Sequence, residues 1–161
     1  YIVIEGDTND DGIVDQNDEK RNSIQRSVEK MDKIKFFMAM NPPTATAQEK
    51  FINKKTGTIG MKSEARAARS KLMAHLAEFK PEQPFMGPVH VEIGWLYKND
   101  KKEELSWNTS RPDLDNLEKD LLDCMTKLRF WKDDSQVCMK YTEKRWTQIV
   151  PGIAIMVEEL E

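Results

Sequence analysis

The sequence predicts an α+β domain in which a mixed β-sheet packs with two main helices. Three observations predict it. Residues 89–97 alternate apolar and polar with the two-residue period of a strand. Residues 63–79 and 114–128 repeat apolar positions at helical spacing. Short apolar runs bounded by Asn, Pro and Gly stand at residues 34–40 and 152–158. The resulting order, β-α-β-α-β-β without an internal repeat, fits helices laid on a mixed sheet.

Each element has a local reason. Ile34, Phe36, Phe37, Met38 and Met40 form a strand stopped by Asn41-Pro42-Pro43. Residues 44–62 are polar, contain Gly57 and Gly60, and read as a mobile loop or a short hairpin. The first helix has Ser63 as its expected N-cap and Ala65, Ala68, Leu72, Leu76 and Phe79 as its apolar stripe, with Arg66, Arg69 and Lys71 on the other face. Pro81 and Pro84 end it. In the next strand Val89, Val91, Ile93, Trp95 and Tyr97 share a face. A turn at residues 99–102 follows, with Leu105-Ser106-Trp107 as a short strand extension. The second helix carries Leu114, Leu117, Leu121, Met125 and Leu128 on one stripe, and residues 136–148 and 152–158 complete the strands.

A chain of 161 residues with 39% hydrophobic and 33% charged content can bury one ordinary core without staples. No apolar stretch approaches the length of a transmembrane helix, and residues 1–5 lack the basic start of a secretory signal. The first residue is Tyr1, so the chain need not be a whole gene product. Cys124 and Cys138 lie 14 apart without a CxxC motif, which fits reduced thiols in a cytoplasmic protein. Both are expected in the core. His75 and His90 have no spaced partner and read as structural. Nine Met residues suit an adaptable core. Net charge is −3, but residues 1–30 carry eight acids against four bases, leaving residues 31–161 at +1. A seam near Met31 therefore divides an acidic segment, 1–30, from the main domain, 31–161.

The sharpest segment is Arg111-Pro112-Asp113-Leu114-Asp115-Asn116-Leu117-Glu118-Lys119. At about 100° per residue, Asp115, Lys119 and Asp123 fall on one line nearly opposite the apolar stripe. Asp113 and Asp115 converge only if Asp113 sits outside the helix, at or before its cap. Pro112 favours that, because it biases Arg111 toward an extended backbone. Fifteen residues past Lys119, Asp134 follows Asp133 directly ahead of a strand. Carboxylates brought together repel unless a cation offsets them, and hard oxygen donors suit Mg²⁺. Such a set beside a lysine suits metal-assisted phosphodiester hydrolysis. Ordinary structure explains the same residues differently: acids at a helix start, a routine Asp115–Lys119 pair, and a solvated turn at Asp133-Asp134.

Arg111-Pro112-Asp113-Leu114-Asp115-Asn116-Leu117-Glu118-Lys119, followed by Phe130-Trp131-Lys132-Asp133-Asp134-Ser135-Gln136-Val137, resembles the RusA family of Holliday-junction resolvases of phages and prophages. Asn41-Pro42-Pro43 after the first strand is similar to that family as well. The resemblance spans about residues 31–161. It implies a homodimeric, Mg²⁺-dependent endodeoxyribonuclease, with Mn²⁺ as a substitute, that cuts four-way DNA junctions in recombination and repair. It implies Asp113, Asp115 and Asp134 as metal-binding catalytic acids and Lys119 as the catalytic lysine, with Asp123 and Asp133 less clearly placed. A two-fold dimer suits a two-fold junction. Phosphate contacts are expected chiefly from Lys54, Lys55, Lys62, Arg66, Arg69 and Arg111, with Lys98, Lys101 and Lys102 as further candidates. Trp95, Trp107, Trp131 and Trp146 are expected in the core or at a dimer contact, and Trp107, four residues before Arg111, is the one placed to approach DNA.

Residues 7–18 fit the EF-hand calcium grid, with Asp7, Asn9, Asp11, Asp15 and Asp18 at ligand positions and Gly12 at the turn. Asp at the last position makes it similar to a dockerin repeat. No helical pattern precedes it and only one copy is present. A Ca²⁺ site and a solvated Asx-rich turn both stand as readings. Two rival functions follow: an inactive junction-binding protein that keeps the fold, and a calcium-dependent interaction module.

Overall fold

A computed structural model describes residues 32–47 and 50–161. The chain divides into two units, Tyr1–Lys30 and Met31–Glu161, and the second is described by itself. The calcium grid of Asp7, Asn9, Asp11, Asp15 and Asp18 lies outside the described residues.

Strand β1 (Lys33–Ala39) pairs antiparallel with β6 (Gly152–Glu159), which pairs antiparallel with β4 (Val89–Lys98). Strand β5 (Val137–Thr147) lies parallel to β4, so the sheet is mixed, in the order β1-β6-β4-β5. Parallel neighbours need a crossover, and the connection from β4 to β5 contains helix α2 (Leu114–Lys127). A separate hairpin, β2 (Lys50–Ile52) with β3 (Ile59–Met61), precedes helix α1 (Ser63–Ala77). Its turn closes through Asn53 N–H to Thr58 O at 2.8 Å, with Gly57 at φ 68°. No helix among the described residues is long and apolar enough to cross a membrane.

One face of the sheet carries the core. Val89, Val91, Ile93 and Trp95 of β4 and Ile153, Ile155 and Val157 of β6 pack with Leu72 and Leu76 of α1 and Leu117, Leu121 and Met125 of α2. Each such side chain contributes about 1.5–3 kcal/mol by leaving water. Phe36 stacks on Phe79, ring centroids 4.6 Å apart, and Trp131 Nε1 donates to Thr126 Oγ1 at 2.7 Å. The predicted stripes of both helices are therefore the ones that meet the sheet.

Three expectations need correcting. Ser63 is not the cap of α1: Lys62 holds that position, and the Ser63 hydroxyl turns to Glu64 Oε2 at 3.3 Å. Cys124 is buried but Cys138 is exposed. Strand pairing jumps from Val89–Val137 to His90–Met139, so Cys138 is the extra residue of a bulge on an edge strand. Residues 105–107 do not extend β4. They run beside the outer edge of β5, through Leu105 N–H to Trp146 O (2.9 Å), Trp146 N–H to Ser106 O (2.9 Å) and an antiparallel bridge between Trp107 and Arg145.

Gly152 marks the closest approach in the sheet. A methyl there would meet the Phe37 ring and lie 2.5 Å from Met38 O. The ring can swing aside; the backbone oxygen cannot. Gly152→Ala is expected to lower stability by about 1–3 kcal/mol in chemical denaturation, and adding Phe37→Ala should not restore it.

Candidate active site

The start of α2 is built as the spacing predicts. Asp113 is the N-cap residue, extended at φ −68° and ψ 144°, and its side chain makes no capping hydrogen bond. Its backbone oxygen instead accepts from Leu117 N–H at 3.1 Å. Asp115 begins the exposed side of the helix, one turn before Lys119. The chain entering α2 is pinned by Lys144 of β5, whose Nζ donates to Pro112 O at 2.6 Å and also to Ser110 O. Burial pushes the Lys144 pKa below the usual lysine range, against the opposing pull of the nearby Asp113 charge. Lys144 thus fixes the backbone that carries Asp113 and offsets part of its charge.

The adjacent acids Asp133 and Asp134 have different surroundings. Asp133 caps a short 3-10 turn (Asp134–Gln136): its Oδ1 accepts from Ser135 N–H at 2.8 Å. Hydrogen bonds from Ser135, side chain and backbone, hold its carboxyl below the usual range. Gln136 locks the turn in place. Its Oε1 accepts from Lys132 N–H (2.8 Å) and Asp133 N–H (3.1 Å), while its Nε2 donates to Phe85 O (3.0 Å) and Gly87 O (2.9 Å). Asp134 is left exposed at the head of the turn.

Asp115, Lys119, Asp123 and Asp134 line one cavity of about 510 Å³ between α2 and the start of β5, together with Glu118 and Lys140. Asp113 does not line it. It borders a neighbouring hollow of about 420 Å³ with Leu114, Tyr141 and Lys144. Among the described residues no three Asp, Glu, His or Cys side chains stand together as a metal-holding group. The expected trio is thus divided, with Asp115 and Asp134 in one cavity and Asp113 in the next. Locally, Asp113 is the extended cap residue while Asp115 lies within the helix, so the two do not share a helical face.

The donor set still suits a hard divalent cation. Mg²⁺ commonly takes one or two protein carboxylates, filling the remaining positions with water and substrate phosphate. The cavity holds four acids, Asp115, Glu118, Asp123 and Asp134, against two bases, Lys119 and Lys140. That imbalance of −2 is the charge one such ion offsets. Glu118 is buried and ion-paired with Lys140, so it is already neutralised. Asp115, Asp123 and Asp134 remain as oxygen donors, Asp115 and Asp134 the most exposed of them.

Sequence reasoning missed Glu118, Gln136, Lys140 and Lys144. Lys140 and Lys144 share one face of β5, and their even, four-residue spacing within a strand was the available signal. Arg69 is not an open phosphate ligand: its Nη1 lies 3.7 Å from Asp120 Oδ1. Asp120 is buried, and its Oδ2 accepts from Ala47 N–H at 2.6 Å, tying the loop ahead of the β2–β3 hairpin to α2. Burial pushes the Asp120 pKa up, while the Ala47 hydrogen bond and Arg69 pull it down. Lys54, Lys55, Lys62, Arg66 and Arg111 are exposed, the two lysines at 54 and 55 in the hairpin turn.

Residues 41–158 match the family model described as endodeoxyribonuclease RusA. Over 108 residues the chain is 37% identical to a crossover junction endodeoxyribonuclease rusA of Lactococcus phage r1t, covering 65% of this chain and 82% of that protein.

Gln136 makes four hydrogen bonds that Leu cannot make. Gln136→Leu is expected to cost about 2–4 kcal/mol of stability, read by chemical denaturation. Hydrogen exchange should rise first at the amides of Lys132 and Asp133. Unchanged protection there would mean that the turn is held by other contacts.

Proposed function

This chain belongs to the RusA family of endodeoxyribonucleases, a resolvase of crossover (Holliday) junctions, and from that premise we propose that it hydrolyses the junction with Mg²⁺ held by Asp115 and Asp134 and completed by Asp113. What supports the ion is the cavity's surplus of two negative charges and its exposed carboxylates Asp115 and Asp134. When bound, the ion would supply Lewis-acid stabilisation of the phosphate and a water of lowered pKa.

The chain's own groups do the rest. Hydrolysis adds a water oxygen to phosphorus and breaks the bond to one sugar oxygen, and negative charge grows on the phosphate oxygens as it proceeds. Lys119, on the same face of α2 as Asp115, offers its ammonium to that charge. Lys140 holds Glu118 and keeps a second positive charge on the opposite wall. Asp134 stays where Gln136 puts it, so the distance between its carboxylate and Asp115 is set before DNA arrives. Asp133 caps the turn and takes no part in the chemistry. Lys54, Lys55, Lys62, Arg66 and Arg111 contact backbone phosphates; Arg69, committed to Asp120, holds the fold.

The working form we propose is a homodimer. A four-way junction is two-fold symmetric, so two identical sites related by a two-fold axis cut opposed strands. Phe37 and Met139 stand exposed on strands of the sheet, apolar surface of the kind an interface covers. Residues 1–30 are proposed as an appended segment whose Asp7, Asn9, Asp11, Asp15 and Asp18 take Ca²⁺, on the strength of the ligand spacing alone. Calorimetric titration of the full chain with Ca²⁺ checks this: binding lost in Asp7→Asn/Asp11→Asn supports it, and no heat in the parent chain refutes it.

The main test uses a labelled four-way junction. Asp134→Asn is expected to lower cleavage at least about a hundredfold while leaving junction binding intact, because shape and phosphate contacts remain. Asp133→Asn, which still caps the turn, should keep cleavage within a few-fold. Chelation by EDTA should abolish cutting and Mg²⁺ restore it. Equal loss in the two variants would refute the division of roles, and cleavage persisting in EDTA would refute the metal.

A further inference from the structure

The hollow beside Asp113 has one wall that the hydrolytic chemistry does not use. Trp107 is 61% exposed, unusual for so large an apolar ring. It is nonetheless held tightly. Its backbone is fixed against the edge of β5 by the bridge to Arg145 and by Asn108 N–H to Lys144 O at 3.1 Å. The Arg145 guanidinium lies 3.5 Å from the centre of the ring. Arg145 is itself clamped, Nε to Glu143 Oε1 at 3.0 Å, Nη2 to Glu143 Oε2 at 3.1 Å and Nη1 to Leu105 O at 2.8 Å.

With its charge engaged by Glu143 and two of its donors used on that carboxylate, Arg145 is poorly suited to grip a phosphate. Besides the Leu105 carbonyl, it contacts the indole. A guanidinium on one face of the ring holds Trp107 by cation–π attraction and leaves the opposite face available. Past Asn108 the segment leaves β5 and turns toward α2, opening the hollow that Trp107, Tyr141 and Asp113 border together. An aromatic platform and the Asp113 carboxylate thus border one hollow.

We propose that Trp107 is a stacking platform for a nucleobase next to the scissile phosphate, one that has left its base stack at the branch point. The proposal rests on the junction-cleaving activity and adds to it the group that the site recognises. In continuous duplex, unstacking a base is costly; at a branch point stacking is already interrupted, so the same contact costs less. Stacking on an indole tolerates any base, so the platform selects for branched structure rather than for sequence. The preorganised ring explains why so much polar bonding is spent on holding an exposed tryptophan.

The test places 2-aminopurine, in turn, at each position flanking the branch point of a four-way junction, with EDTA present so that binding is read without cutting. Wild-type protein is expected to change the 2-aminopurine fluorescence at one or two of these positions, and Trp107→Ala to abolish that change and weaken binding about tenfold. Trp107→Phe should retain most of both, and thermal melting of each variant verifies the fold. A wild type that cuts the junction, matched by Trp107→Ala in fluorescence and affinity, overturns the platform and leaves the resolvase activity standing. A wild type that neither binds nor cuts the junction overturns that activity and the platform with it.

Discussion

Carboxylates that line one open cavity repel, so the fold must hold them with forces that do not involve the carboxylates themselves. Here that holding comes from neutral parts. Asp115 is carried by a helix whose Leu117, Leu121 and Met125 are sunk in the core. Asp134 is carried by a turn that Gln136 fastens to the backbone at Phe85 and Gly87. Neither anchor is weakened when the two charges repel, because neither depends on the acids' own hydrogen bonds. The acids are kept in one cavity by burial and by amide bonding elsewhere, so a cation entering it would relieve their mutual repulsion.

The other charges near the site follow from that constraint. Glu118 and Asp120 are buried on the same helix, and a buried carboxylate needs a partner. Glu118 takes Lys140 from β5; Asp120 takes Ala47 N–H and Arg69. These pairs also tie α2 to its neighbours, to the sheet on one side and to α1 and the loop before the hairpin on the other. Asp120 leaves one oxygen, Oδ1, without a hydrogen bond, so its attachment rests on a single short bond to the loop and on the Arg69 charge. The basic hairpin therefore follows a segment joined directly to the helix that bears Lys119.

Much of this was legible in the residues. Alternation gave away β4, apolar spacing gave both helices, and Pro112 pointed to Asp113 lying outside α2, where it is. What escaped notice has one physical origin: it depends on partners distant in the chain. Nothing near Glu118 or Asp120 announces burial, because their partners lie at positions 140, 47 and 69. Arg69 read as a surface cation for the same reason. Gln136 read as the first residue of a strand, although it ends the turn before β5 and its amide serves four backbone groups. Cys138 was expected in the core as a small apolar residue, but it stands at a bulge where β5 is exposed on both faces. The division of Asp113 from Asp115 and Asp134 was hidden because helical angles say where a side chain starts, not which cavity its carboxyl reaches.

Charge balance bears on how such a protein finds branched DNA. Residues 31–161 carry a net +1, too little for strong attraction to duplex at large, and at physiological salt the reach of any one charge is about 8 Å. Generic DNA affinity scales with the number of phosphates neutralised, and a cation engaged by the protein's own carboxylates or carbonyls is lost to such contacts. Arg69 and Arg145 have their charge engaged by Asp120 and Glu143, and Lys140 and Lys144 are occupied with Glu118 and with backbone oxygens. Affinity must then come from a substrate whose shape brings several phosphates to scattered bases at once. A junction, with four arms leaving one point, presents phosphates in more directions than a duplex can. A near-neutral domain with some of its bases already engaged thus places the weight of recognition on where phosphates are presented rather than on total charge.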